Sequence, residues 1–72
     1  MTDYFCWNRD DPANFHSLGA HTPEEAAVQF HANFSFGGET RVAIGDPRID
    51  RVHTLIVRSS EDGYRVSQDF AL

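Results

Sequence analysis

Apolar and polar positions follow two different periods along this 72-residue chain. Segments that alternate every two residues, or that are rich in aromatic and β-branched residues, predict strands. One intervening segment has apolar residues at intervals of four, which is typical of a helix. The helix is expected between Thr22 and Phe34. The predicted strands cover 2–8, 14–20, 40–45, 51–59 and 64–70.

The predicted helix has clear start and stop signals. Thr22 stands at the N-cap, Pro23 at the first helical position and Glu25 three residues after the cap, which is a capping box. Beyond the helix, Gly37 or Gly38 can take the left-handed conformation of a C-terminal cap. A stripe that would face a sheet consists of Ala26, Ala27, Phe30 and Phe34.

Turn signals separate the strands. Asp-Asp-Pro within 9–13 and Asp46-Pro47 within 46–50 predict turns. The pair Asp62-Gly63 predicts a two-residue hairpin loop, which would place Leu55 opposite Phe70. That register brings four apolar residues to one face, as a core requires. They are Leu55, Val57, Val66 and Phe70.

These elements predict one α+β domain spanning 1–72, in the order β-β-α-β-β-β, with a single helix packed on a mostly antiparallel sheet. The chain is near the lower size limit at which a hydrophobic core alone holds a fold. Apolar residues make up 40% of it, so most large side chains are needed for packing. Little apolar material is then left to line a deep catalytic cavity.

Cysteine content and the N-terminal sequence favour a cytoplasmic protein. The single cysteine, Cys6, excludes an intramolecular disulfide. The first residues have neither the basic region nor the apolar run of a signal peptide. No segment approaches the roughly 18 apolar residues of a membrane span.

The charge balance bears on the kind of partner. Six arginines and no lysine stand against eleven acidic residues, giving a net charge of -5. This argues against direct nucleic-acid binding through backbone phosphates. Acidic doublets fall at turns and at the helix start, where acids are common for structural reasons. They are alternatively an acidic surface aimed at a basic groove of a partner protein, with Asp10, Asp11, Glu61 and Asp62 as the candidate contacts.

A second candidate surface is the sheet face that the helix leaves uncovered. One helix covers one face, yet the segment Tyr4–Trp7 is apolar on both faces, and Ile56 points away from Leu55. Strand parity, with Leu55 assigned to the core, predicts Tyr4, Cys6 and Ile56 on the uncovered face. They are either scattered exposed groups or a partner or dimer surface.

Catalytic and metal-binding patterns are weak. The histidines have no ligand spacing on a shared element, and the two glutamates at the helix start are explained by its cap and dipole. Cys6 lies within an aromatic strand, where a buried cysteine is the default. We therefore predict no catalytic residue, no cofactor and no metal site. The histidines are His16, His21, His31 and His53.

The stretch AHTPEEAAVQF (20–30) between two hairpins, together with small size and net acidity, resembles small accessory proteins of bacteriophages and mobile elements, including anti-CRISPR proteins. The resemblance is one of general style over the whole chain and assigns no residue. It implies a non-enzymatic cytoplasmic inhibitor that occludes a surface of a host nuclease or CRISPR–Cas surveillance complex. The alternative is a small homodimeric structural or regulatory subunit, or an antitoxin-like partner protein.

Overall fold

The computed structural model describes residues 1–34, 38–46 and 51–68. Its elements confirm the predicted α+β class and the order β-β-α-β-β-β. Within the described ranges no helix is long and apolar enough to cross a membrane. The elements are β1 Thr2–Asn8, β2 Asp11–Ala20, α1 Pro23–Phe34, β3 Glu39–Asp46, β4 Arg51–Ser60 and β5 Gly63–Gln68.

The five strands form one sheet in the order β2-β1-β3-β4-β5, and each neighbouring pair is antiparallel. The N-terminal hairpin joins the other three strands through β1 and β3, where residues 5–8 pair with 42–45. Since β1 and β4 are both antiparallel to β3, they run in the same direction. The β1–β2 and β4–β5 turns therefore lie at the same end of the sheet.

The helix begins with the predicted capping box. The backbone N–H of Glu25 donates to Oγ1 of Thr22 at 3.1 Å, and the N–H of His21 donates to the Glu25 carboxylate at 3.4 Å. Ala26 and Ala27 are fully buried, because small side chains let the helix start approach the sheet closely. The core between helix and sheet consists of Tyr4, Cys6, Ala20, Ala26, Ala27, Phe30, Val42, Ile44, Leu55 and Val57.

The β4–β5 hairpin has a different register from the predicted one. Glu61-Asp62 form the loop and Gly63 follows with a φ of 127°, a conformation that suits glycine. A loop at Asp62-Gly63 would need a positive φ at Asp62 as well, which an aspartate adopts less readily. Leu55 consequently pairs with Gln68, and the predicted pairing with Phe70 is wrong.

The shift by two residues leaves the inward faces of these strands unchanged. Leu55 and Val57 are buried and Val66 packs against the core, as predicted. The predicted core position Phe70 and the predicted helix cap Gly37 lie outside the described residues.

The first turn is tighter than the predicted 9–13. It contains Arg9 and Asp10 only, and the side chain of Asn8 accepts a hydrogen bond from the N–H of Asp10 at 2.8 Å. Strand β2 then starts at Asp11 and includes Pro12. Because β2 is an edge strand, a proline there costs no central ladder hydrogen bond.

Candidate functional site

The face of the sheet opposite the helix carries exposed large apolar side chains. Paired residues on antiparallel strands point to the same face, so the register identifies its members. Trp7 pairs with Phe15 on one side and with Ala43 on the other, and Ile56 pairs with Arg41. We call this surface the outer sheet face. Its large apolar and basic residues are Phe5, Trp7, Phe15, Arg41, Val52, Ile56, Arg58 and Arg65.

Two of the predicted surface residues are on the wrong side. Tyr4 and Cys6 are fully buried in the core between sheet and helix, so their assignment to the uncovered face is wrong. Their neighbours Phe5 and Trp7 take that place. The prediction failed because a strand with apolar residues on both faces has no alternation that shows which face meets the helix. Ile56 does lie on the outer sheet face, half-buried and separated from β1 by strand β3.

Three aromatic rings form a cluster on β1 and β2. The ring of Phe15 lies 5.9 Å from those of both Phe5 and Trp7, with interplanar angles of 19° and 23°. Phe5 is 43% exposed and Phe15 is 52% exposed, while Trp7 is half-buried. Carbon atoms of Phe5 and Trp7 lie 3.7 Å from the position a Cβ would take at Gly45, so both side chains lie against β3.

Within the described ranges, three exposed arginines occupy the other part of this face. Arg41 lies on β3, and Arg58 on β4 is directly opposite Arg65 on β5. Like charges directly opposite each other destabilise a sheet. Arg58 also contacts Glu39, with 3.4 Å between Nε and Oε2. Both side chains of that ion pair are exposed, so it offsets little of the repulsion.

The four acidic residues predicted as partner contacts lie at one end of the sheet. Asp10 and Asp11 are in and beside the β1–β2 turn, and Glu61 and Asp62 form the β4–β5 turn. All four are exposed. Glu39, at the start of β3, lies between the two turns. We call Asp10, Asp11, Glu39, Glu61 and Asp62 the acidic end.

A polar depression opens at the acidic end, lined by Asp10, Glu39 and Arg41. Its two carboxylates and one guanidinium give it a mixed charge. Nearby, the N–H of Arg9 donates to the carbonyl of Arg41 at 2.9 Å, which holds the first turn against β3. The depression is thus built on a backbone fixed to the central strand.

His31, for which the sequence predicted no metal or catalytic role, is buried between the helix and the sheet. Its Nδ1 lies 2.7 Å from Oγ1 of Thr40 and its Nε2 lies 2.8 Å from Oγ of Ser59. Tyr64 meets the imidazole edge to face at 5.6 Å. A serine, a histidine and a third polar group in this order resemble a nucleophile, its base and an orienting group. However, His31 is only 3% exposed, and its contacts connect the helix to strands β3 and β4. This arrangement favours a structural role.

Cys6 is also placed for packing. Burial raises the pKa of its thiol from the ordinary value of 9.0 to about 11, so the thiol stays protonated near neutral pH. A protonated thiol is a poor nucleophile. Among residues 1–34, 38–46 and 51–68, no group of three or more His, Cys, Asp or Glu side chains is arranged to hold a metal ion.

Comparison of the chain with protein-family models, curated proteins and solved structures found no match.

Sequence reasoning missed Phe5, Trp7 and Phe15 as the aromatic part of the exposed surface. A signal was present in β2, where the inward positions His16, Leu18 and Ala20 alternate with Phe15 and Ser17. An aromatic on the polar side of such an alternation indicates an exposed ring, and its cross-strand partner then shares that face.

Proposed function

We propose that this chain is a non-enzymatic binding protein of the anti-CRISPR type. It acts in the cytoplasm, which is the host cytoplasm if a phage encodes it. Its partner is a protein surface of a nuclease or CRISPR–Cas surveillance complex, and it contacts neither membrane nor nucleic acid directly. The observation that carries the proposal is that the fold brings both acidic turns to one end of the sheet.

The spacing of these turns suits a basic groove. Three strand spacings separate the middle of one hairpin from the middle of the other, or about 14 Å. Two pairs of exposed carboxylates at this distance can meet arginines and lysines that otherwise bind the phosphates of a nucleic acid. Such complementarity raises association rates and excludes partners of the wrong charge.

The mode of inhibition follows from this geometry. A rigid sheet end that occupies the basic groove prevents the nucleic acid from entering, and no bond needs to be made or broken. Inhibition is then stoichiometric, and it weakens with added salt because exposed charges are screened.

The test is inhibition of nucleic-acid cleavage by a panel of purified CRISPR–Cas nucleases and surveillance complexes. The wild-type chain should block one of them at a one-to-one ratio. A variant with Asp10→Asn, Asp11→Asn, Glu61→Gln and Asp62→Asn should associate with that complex at least ten-fold more slowly. Circular dichroism checks that the variant is folded.

A matched control removes acidic side chains elsewhere. Asp3 and Glu24 are exposed and lie outside the acidic end. The control is the double variant Asp3→Asn with Glu24→Gln, which changes the net charge by the same amount as the double variant Asp10→Asn with Asp11→Asn. The control should associate at the wild-type rate. Equal inhibition by the four-site variant and the wild type would refute the electrostatic mechanism. Cleavage unaffected across the whole panel would refute the anti-CRISPR proposal.

A further inference from the structure

We infer that the outer sheet face is the contact surface of a homodimer, in which two copies of this chain pack face to face about a twofold axis. This inference is independent of the proposed inhibitory function. The dimer buries the aromatic cluster and leaves the turns of the acidic end exposed.

The composition of the face is that of a protein interface. Phenylalanine, tryptophan and arginine are enriched at protein interfaces, and tryptophan and arginine are among the residues that contribute most of the binding energy, whereas lysine and acidic residues are depleted. The outer sheet face contains Phe5, Trp7, Phe15, Arg41 and Ile56. The carboxylates that the described strands place on this face, Asp3 and Glu39, lie at the two ends of the strands.

The face is also complementary to itself. Its aromatic cluster lies on β1 and β2, and its arginines lie on β3, β4 and β5. A twofold axis parallel to the sheets can place the aromatic part of one copy over the arginine part of the other, with each contact made twice. A guanidinium on an aromatic ring is a favourable cation–π contact. It would also compensate the repulsion between Arg58 and Arg65.

Charge favours this face over the other surfaces of the chain. Two copies with a net charge of -5 repel each other wherever carboxylates meet. Among the residues that the structure describes, the outer sheet face has three arginines against two carboxylates, so packing through it avoids that repulsion. The turns bearing Asp10, Asp11, Glu61 and Asp62 stay in solvent, where salt screens them.

The area of the outer sheet face limits the stability of the dimer. Five strands at a spacing of about 4.8 Å, each about seven residues long, present roughly 500 Å² per copy. Two such faces bury roughly 1,000 Å², which is near the lower limit for a specific protein interface. The dimer should therefore dissociate on dilution within the micromolar range.

Sedimentation over a series of concentrations tests the inference. Between about 1 µM and about 1 mM, the range of a weak interface, the wild-type mass should rise toward twice the 8.1 kDa of one chain. Trp7 is the only tryptophan, and its emission should move to longer wavelength on dilution as the interface opens. This second readout requires no variant.

Variants locate the interface. Phe5→Thr with Phe15→Thr keeps residues that favour strands but removes two exposed rings, and it should stay monomeric throughout the series. The matched control is Tyr64→Thr, since Tyr64 is 47% exposed and belongs to no part of the outer sheet face. The control should dimerise like the wild type, and circular dichroism should show both variants folded.

Three results would overturn the inference. One is a wild-type mass of a single chain at every concentration, with unchanged Trp7 emission. Another is a dimer that survives loss of both rings. The third concerns a different occupant, because exposed rings beside arginines can also stack the bases of single-stranded nucleic acid. Quenching of Trp7 in dilute monomer by an oligothymidine would assign the face to that ligand.

Discussion

The Nε2 atom of His31 lies 2.8 Å from the hydroxyl oxygen of Ser59, which links the second half of the helix to strand β4. The other ring nitrogen contacts Thr40 on β3, so one imidazole joins three elements. A hydroxyl can either donate or accept, so both contacts are satisfied whichever nitrogen carries the proton. Every buried side-chain nitrogen or oxygen of the described residues has a hydrogen-bond partner.

Removing this imidazole should destabilise the fold strongly. His31→Ala loses buried packing and two hydrogen bonds, and we expect the free energy of unfolding to fall by about 3 kcal/mol. Ser59→Ala loses one hydrogen bond and should cost about 1 kcal/mol. Urea unfolding measures both. His21→Ala, at an exposed histidine, is the control and should change little. A neutral effect of His31→Ala would contradict the proposed structural role.

The helix cap should also contribute to stability. Thr22→Ala removes the acceptor for the N–H of Glu25, and we expect a loss of about 1 kcal/mol. In so small a domain this is a large share of the stability, so thermal unfolding should shift visibly downward. Binding to a partner at low temperature should persist, since Thr22 lies outside both candidate surfaces. Loss of binding with unchanged stability would show that Thr22 has another role.

Adjacent residues on β1 should respond in opposite ways to the same change. Tyr4→Asp places a charge in the core and should unfold the chain, because burying an unpaired charge is costly. Phe5→Asp changes an exposed residue of the outer sheet face and should leave a folded monomer. Leu55→Asp and Ile56→Asp form a second such pair on β4. Circular dichroism and sedimentation distinguish the two outcomes, and unfolding by Phe5→Asp would show that its ring is needed for the fold.

Because of the Cys6 thiol, we expect the free energy of unfolding to fall in alkaline solution. Its pKa is raised to about 11 in the folded protein and is 9.0 in the unfolded chain. The unfolded thiol therefore ionises first as pH rises. The stabilisation is complete below pH 9 and is lost between pH 9 and about 11, by about 2 to 3 kcal/mol.

Comparison with a variant isolates this effect from other groups that titrate in alkali. Cys6→Ala should unfold more easily at neutral pH but show a flatter decline between pH 9 and 11. Thiol reagents at neutral pH should modify Cys6 only in denaturant. If the free energy of unfolding fell equally steeply with pH for the wild type and for Cys6→Ala, the thiol would make no contribution to the pH dependence of stability.

Local signals predicted the parts of the fold that depend on neighbours in sequence. The capping box at Thr22 and Glu25 predicted the helix start, and the apolar stripe containing Ala26 and Phe30 predicted the buried face of the helix. The register predicted for the β4–β5 hairpin was wrong, because Gly63, which takes the positive φ, follows the loop instead of forming part of it. An error of two residues still preserves which side chains face inward.

The candidate surface was harder to predict because it depends on strand order. The sequence placed Tyr4 and Ile56 together on the uncovered face, but it did not show the order of their strands. Strand β3 separates those strands, and the helix covers Tyr4. No local pattern decides which side of an aromatic segment meets the helix, since both sides are equally apolar. The positions of Asp10 and Glu61 at one end likewise follow from strand directions, which only the assembled sheet defines.

The pairing of β1 with β3 should set the speed of folding. Phe5 pairs with Gly45, forty residues further along the chain, whereas the β1–β2 and β4–β5 hairpins close locally within microseconds. Bringing distant segments together costs loop entropy before their contacts form, so this pairing should be the slow step. The helix lies within the intervening segment, and its formation shortens the distance to be closed. A change that weakens the helix, such as loss of its cap, should therefore slow refolding as well as lower stability.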